Sequence, residues 1–219
     1  MALLAGTRLV AVDTETTGFD SAGGHALIEV ATVEIVEGRL GDTWASLVRP
    51  GRPIPPDSTR VHGITDAMVA GAPAPAEVAL PLARACEGAM LVFHNAAFDL
   101  PFLAALLAAA GRAPLANPVV DTLGLARGLM PGAEHSLGAL ARRLELPRET
   151  AHRAAGDART TARLFLVLAA RWELERGVAS VAELAAISQD VLRLTRRRPA
   201  PASGNPASEP VSSGAAGAR

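Results

Sequence analysis

The stretch Val10-Ala11-Val12-Asp13-Thr14-Glu15-Thr16-Thr17-Gly18 sets two carboxylates two residues apart at the end of an apolar run. Alternate residues of a strand share a face, so Asp13 and Glu15 project together while Thr14 points away. A divalent cation with a taste for hard oxygen ligands, Mg2+ or Mn2+, would cancel the repulsion between them. An edge strand reaching solvent near a turn at Thr17-Gly18 accounts for the pair equally well, so the decision lies elsewhere in the chain.

Two further acids head apolar helical stripes. Asp99 leads Phe102, Leu103, Leu106, Leu107 and Ala110, and Asp157 shares a face with Thr161, Leu164, Phe165, Leu168 and Trp172. Aspartate near a helix start usually caps amides and meets the positive end of the dipole, which explains either residue singly. It explains both less well, because caps sit at the solvent edge and these acids head buried stripes. Four converging acids would form a pocket that needs metal ions. Two ions about 3.5 to 4 Å apart can clamp the attacking and leaving oxygens of an in-line phosphoryl displacement, which makes phosphodiester hydrolysis the natural chemistry.

That chemistry needs a base, and His152 in Ala151-His152-Arg153-Ala154-Ala155-Gly156-Asp157 is the candidate. Five residues of helix would set His152 and Asp157 about 140° apart, so they share a site only if His152 lies on a loop before the helix. Ala154-Ala155-Gly156 supplies such a loop. A free imidazole suits general-base work, with an ordinary surface histidine as the alternative.

The elements that must position these residues follow from local pattern. Ala26 to Val36 is rich in β-branched residues, Glu37 to Gly41 supplies turn chemistry, and Thr43 to Val48 reads as a further strand, so a hairpin follows the opening strand. Four prolines between Pro50 and Pro56 exclude regular structure there, and Thr65 has the character of an N-cap. Helices are expected over 76–87, from Asp99 onward, after Asp121-Thr122, over 136–144 with Ser136 as cap, from Gly156-Asp157 onward, and over 178–194. Short strands are expected at 89–93 and at Val119-Val120. Asp121 reads as a helix cap, and His25 and His135 as surface residues.

At 219 residues and 49% hydrophobic, the chain buries a substantial core. All 21 basic residues are Arg, and the formal net charge of -1 argues for local contact with any nucleic acid, within a cleft, and against a broad basic surface. Cys86, the only cysteine, rules out an intrachain disulfide or a cysteine-rich zinc site. Met1 to Gly6 lacks the basic start of a signal peptide, and no uncharged apolar run nears the roughly 18 residues of a membrane span, so a soluble, cytoplasmic protein is expected. One domain over 1–195 is expected, followed by a disordered Pro/Ala/Ser/Gly-rich tail over 196–219.

Taken together, Asp13-Thr14-Glu15-Thr16-Thr17-Gly18, His94-Asn95-Ala96-Ala97-Phe98-Asp99 and His152-Arg153-Ala154-Ala155-Gly156-Asp157-Ala158 resemble the three exonuclease motifs of the DnaQ-like DEDDh family. The similarity runs from about Arg8 to about Ala170 and includes Val61-His62-Gly63-Ile64-Thr65 and Val120-Asp121-Thr122-Leu123. The sister subclass carries Tyr in the third motif, and this chain has no Tyr. The resemblance implies an α/β, ribonuclease H-like exonuclease fold, with a mixed central sheet flanked by helices, and hydrolysis of single-stranded nucleic acid from its 3′ end with two Mg2+ or Mn2+ ions. It implies that Asp13 bridges both ions, that Glu15 and Asp157 hold the one carrying the nucleophilic water, that Asp99 acts largely through water, and that His152 is the base. It also implies a substrate cleft formed by the backbone of Thr16, Thr17 and Gly18 with His62, His94, Asn95 and Phe98.

Within the family, the expected role is proofreading or repair on DNA, either as the proofreading subunit of a bacterial replicative polymerase or as a free-standing relative. RNases that trim tRNA ends or degrade short oligoribonucleotides share the same motifs and stand as the alternative. Gln189-Asp190-Val191-Leu192-Arg193-Leu194 loosely resembles a clamp-binding hexapeptide, which raises a polymerase subunit or sliding clamp as partner. An ordinary amphipathic helix end explains the same residues.

Overall fold

A computed structural model describes residues 2–197. Its centre is a five-stranded mixed sheet in the order β3-β2-β1-β4-β5, built from β1 (Leu9–Thr16), β2 (Leu27–Val36), β3 (Arg39–Leu47), β4 (Met90–Phe93) and β5 (Val119–Asp121). The first three strands pair antiparallel, and β4 and β5 join β1 in parallel. The β2–β3 connection is a two-residue turn, Glu37-Gly38, with φ of 50° and 78°. Positive φ at both positions matches the right-handed twist of the flanking strands, so β3 begins at Arg39, earlier than the sequence pattern predicts.

The helices are α1 (Pro56–His62), α2 (Asp66–Val69), α3 (Pro75–Cys86), α4 (Ala96–Ala108), α5 (Thr122–Leu129), α6 (Leu137–Arg143), α7 (Ala154–Arg176) and α8 (Val181–Arg197). α1 was hidden from sequence reading by its prolines, yet Pro56 opens it, where a missing N–H costs nothing. α7 begins at Ala154, so Ala154-Ala155-Gly156 is its first turn and not the expected loop; the loop ends at Arg153. α8 runs two residues into the expected tail, and positions 198–219 lie outside the described residues.

Strand alternation divides the core. Leu9 and Ala11 of β1 pack with Phe165 and Leu168 of α7 on one face of the sheet. Val10 and Val12 pack with Phe102 and Leu103 of α4 on the other. The end of β1 is thereby sandwiched between the starts of α4 and α7, the two helices that carry Asp99 and Asp157. Gln189 to Leu194 lies within α8, with Leu192 only 6% exposed, so a peptide-like docking segment there would first have to unwind. No described helix is long and apolar enough to cross a membrane.

Candidate active site

Asp13 and Glu15 share the α7 face of β1, and Asp157 is the fourth residue of α7. One carboxylate oxygen from each of the three lies within 4.8 Å of the others. Asp99, fourth residue of α4, approaches from the opposite face of β1 and stands outside that group. Thr14, which does point away from Asp13 and Glu15, holds it there: its Oγ1 donates to Asp99 Oδ1 at 2.7 Å. Asp99 is still the strongest charged neighbour acting on Asp13. Neither Asp99 nor Asp157 is the N-cap of its helix; those positions belong to Asn95 and Arg153.

Burial first, and mutual repulsion second, lift the cluster out of the usual carboxylate range. Asp13 is raised well above its ordinary value by burial and then by Asp99, Asp157, Glu15 and Glu29. Burial and the charges of Asp157 and Glu29 push Glu15 up to about 8. Burial carries Asp99 to about 7 against the opposing hydrogen bond from Thr14. Asp157 is raised by burial, moderated by the His152 amide. A donor set of hard oxygens that repel one another this strongly fits divalent cations, whose charge would relieve the repulsion.

His152 lies on the loop, exposed, with φ of 56°, and its backbone N–H donates to Asp157 Oδ2 at 3.0 Å. Among the described residues, nothing is hydrogen-bonded to its ring. Gly156 makes this turn feasible. A Cβ there would stand 2.0 Å from the Thr150 carbonyl oxygen, so the loop closes over α7 only where no side chain exists.

Beside the carboxylates is a cavity of about 230 Å³ lined by Glu15, Thr16, Gly18, His62 and Phe98, together with Thr14, Phe19, Asp57, Ser58 and Val61. His62 is 6% exposed, its Nδ1 accepts from the Ile64 amide at 3.0 Å, and its buried Nε2 has no partner. Burial lowers its pKa. Phe19 is 91% exposed and meets Phe98 edge-on at 6.4 Å. Sequence reading missed Phe19 and α1's contribution; an aromatic directly after the Thr-Gly turn was the available signal for the first.

Three expected substrate residues are placed apart from this cavity. Thr17 is fully buried: its N–H donates to the Ala26 carbonyl at 2.8 Å, its carbonyl accepts from Ser58 at 3.0 Å, and its Oγ1 accepts from the Ala26 amide at 2.9 Å. It holds the loop and leaves no backbone group for a ligand. His94 has Nδ1 against Thr122 Oγ1 and Nε2 against the His135 carbonyl, both at 2.9 Å. Asn95 is an exposed left-handed residue at φ 73°. His25 is half-buried against Gly18 and pairs with Thr17 Oγ1 at 3.2 Å, and His135 is half-buried as well, so neither is a plain surface residue.

A family model described as Exonuclease matches residues 10–165. A DNA polymerase III subunit epsilon-like protein of Rhodobacter capsulatus is 49% identical over 164 residues, 73% of this chain; the chain spans only 23% of that relative's length. The DNA polymerase III subunit epsilon of Pasteurella multocida is 36% identical over 209 residues, covering 86% of this chain and 83% of its own. The Escherichia coli subunit is 38% identical over 173 residues, 74% of this chain and 71% of its own. Among solved structures, Exonuclease X in complex with 5′ overhanging duplex DNA superposes with a TM-score of 0.64 at 30% identity, covering 82% of this chain and 99% of that one. Escherichia coli Exonuclease I in complex with a dT13 oligonucleotide, at 16% identity, shares the fold, with a TM-score of 0.69 over 76% of this chain and 42% of its own. The mixed sheet, the gathered acids and these alignments agree, and the chain belongs to the DnaQ-like DEDDh exonuclease family, an enzyme of the ribonuclease H-like fold.

Proposed function

We propose that the protein is a 3′-5′ exonuclease that removes nucleoside 5′-monophosphates from single-stranded DNA in proofreading or repair, using two divalent metal ions. The observation that carries this reading is the convergence of the Asp13, Glu15 and Asp157 oxygens within 4.8 Å, beside a cavity that Glu15 also lines. Asp13, Glu15 and Asp157 would hold Mg2+ or Mn2+, with Asp99 acting through water. Ions held there would supply positive charge against the phosphate and would make a bound water more acidic. His152 takes the water's proton on an imidazole nitrogen. Attack on phosphorus breaks its bond to the 3′ oxygen of the preceding nucleotide, releasing the 5′-monophosphate and a strand one nucleotide shorter. Thr16, Gly18 and Phe98 wall the terminal nucleoside, and the unpartnered Nε2 of His62 suits a polar atom of it. The names of the epsilon relatives favour DNA over RNA, and a polymerase subunit over a clamp as partner.

The test is a parallel digestion of 5′-labelled single-stranded DNA, a mismatched primer-template, single-stranded RNA and a dinucleotide with Mg2+ or Mn2+. DNA strands should shorten from the 3′ end, and Asp13→Ala should lower the rate by at least about 1,000-fold. Wild-type protein inert toward every substrate with both metals overturns the reading. Preference for RNA moves the protein to the exoribonuclease branch.

A further inference from the structure

Glu29 is a buried acid that the hydrolytic scheme leaves unused. It stands opposite Glu15 in the β1–β2 register, a like-charge pair across an antiparallel ladder. At 4% exposure, such a carboxylate needs donors of its own. Among the described residues, all of them come from a single distant stretch. Arg153 Nε reaches Oε1 at 3.2 Å and Oε2 at 3.1 Å, Arg153 Nη2 reaches Oε1 at 2.6 Å, and the Ala154 N–H reaches Oε2 at 2.9 Å. A guanidinium held by both carboxylate oxygens is fixed in direction as well as distance. The residues so gripped are the N-cap and first residue of α7, and they directly follow His152.

We propose that Glu29 is a positioning residue for His152. By clamping Arg153 and the Ala154 amide, it fixes the left-handed turn that presents the imidazole to the carboxylate cluster, while the His152 N–H to Asp157 supplies the second tether. The inference rests on His152 being the base.

Glu29→Gln, which keeps the shape and removes the charge, should lower kcat about tenfold or more, with KM for a DNA strand and Mn2+ affinity within about twofold of wild type. In a His152→Ala background the same change should have little further effect, because both act through one imidazole. In metal-free protein, Glu29→Gln should speed amide exchange at His152 and Ala154 and leave Ala96 unchanged. Arg153→Lys should retain part of the activity that Arg153→Ala loses, and this pair carries the test if Glu29→Gln fails to fold. Losses that multiply in the double variant, or Mn2+ affinity falling in step with kcat, overturn the proposal alone. Full activity of His152→Ala overturns both the proposal and the assignment of the base.

Discussion

Two hexapeptides in this chain are spelled alike, His94-Asn95-Ala96-Ala97-Phe98-Asp99 and His152-Arg153-Ala154-Ala155-Gly156-Asp157, and each leads into a helix whose fourth residue is the acid. Each helix is entered through a left-handed residue, and each has its first amide accepted by a buried carboxylate from a neighbouring strand. Asp121 of β5 takes the amides of Asn95 at 3.0 Å and Ala96 at 2.9 Å at the start of α4, and also that of Leu123, capping α5. Glu29 of β2 takes Ala154 at the start of α7. The divergence lies one residue apart: the left-handed position is Asn95 in the first hexapeptide and His152 in the second. In the first the histidine stays inside, with both ring nitrogens engaged. In the second it stands out on the loop beside Asp157. The same local spelling thus builds a fixed wall at α4 and an open working edge at α7.

Of the changes that separate the two helix starts, the one with the largest expected effect strikes the α7 side alone. Gly156→Ala would drive a methyl into the Thr150 carbonyl and push the His152 loop away, so activity should fall about 100-fold or more in steady-state assays on folded protein. Equal activity in that variant would mean that the loop geometry is immaterial. Asp121→Asn should strike the α4 side in a different currency, with unfolding free energy falling by about 2 to 3 kcal/mol in urea titrations while kcat per folded molecule holds. A kcat loss with intact stability would merge the two helix starts into one function.

Phe19→Ala tests whether the α4 side supplies only a wall. The exposed ring leans on Phe98, so thermal stability should be unchanged and KM for single-stranded DNA should rise about tenfold.

The smallest effect is on pH dependence. Asp13, Glu15, Asp99 and Asp157 all hold protons more tightly in the folded chain than carboxyls ordinarily do. Folding therefore takes up protons above the ordinary carboxylate range, and stability falls as pH rises toward about 8, where Glu15 ionises. Metal-free protein should lose a few degrees of Tm between about pH 5 and pH 8, and Mn2+ should restore them. Glu15→Gln should flatten the slope; a slope unchanged by that substitution would place its origin outside the cluster.

Much of this was readable in the sequence, because period-two and period-3.6 patterns report which face a side chain takes. They gave the shared face of Asp13 and Glu15, the stripes behind Asp99 and Asp157, the two short strands and the Asp121 cap, while the parallel direction of those strands is a finding of the structure. The patterns misled where local chemistry outweighed them: Pro56 opens a helix in a proline-rich run, and Ala154 starts α7 ahead of its apolar stripe because Glu29 and Arg153 fix it there.

By itself, then, the sequence determined the candidate carboxylates and histidine, their order and the family, since residue type and spacing are local properties. Only the tertiary structure decided that Asp99 comes from the far face of β1 through Thr14, that Thr17 and His94 are sealed into the scaffold, and that the His152 ring meets no hydrogen-bond partner among the described residues. Each outcome turns on which donor or acceptor arrives from elsewhere in the chain: Thr14 lies 85 residues from Asp99, His94 is closed by the carbonyl of a residue 41 positions on, and Glu29 lies 125 from Ala154. No periodicity along the chain records such meetings, which exist only once the sheet has brought the strands together.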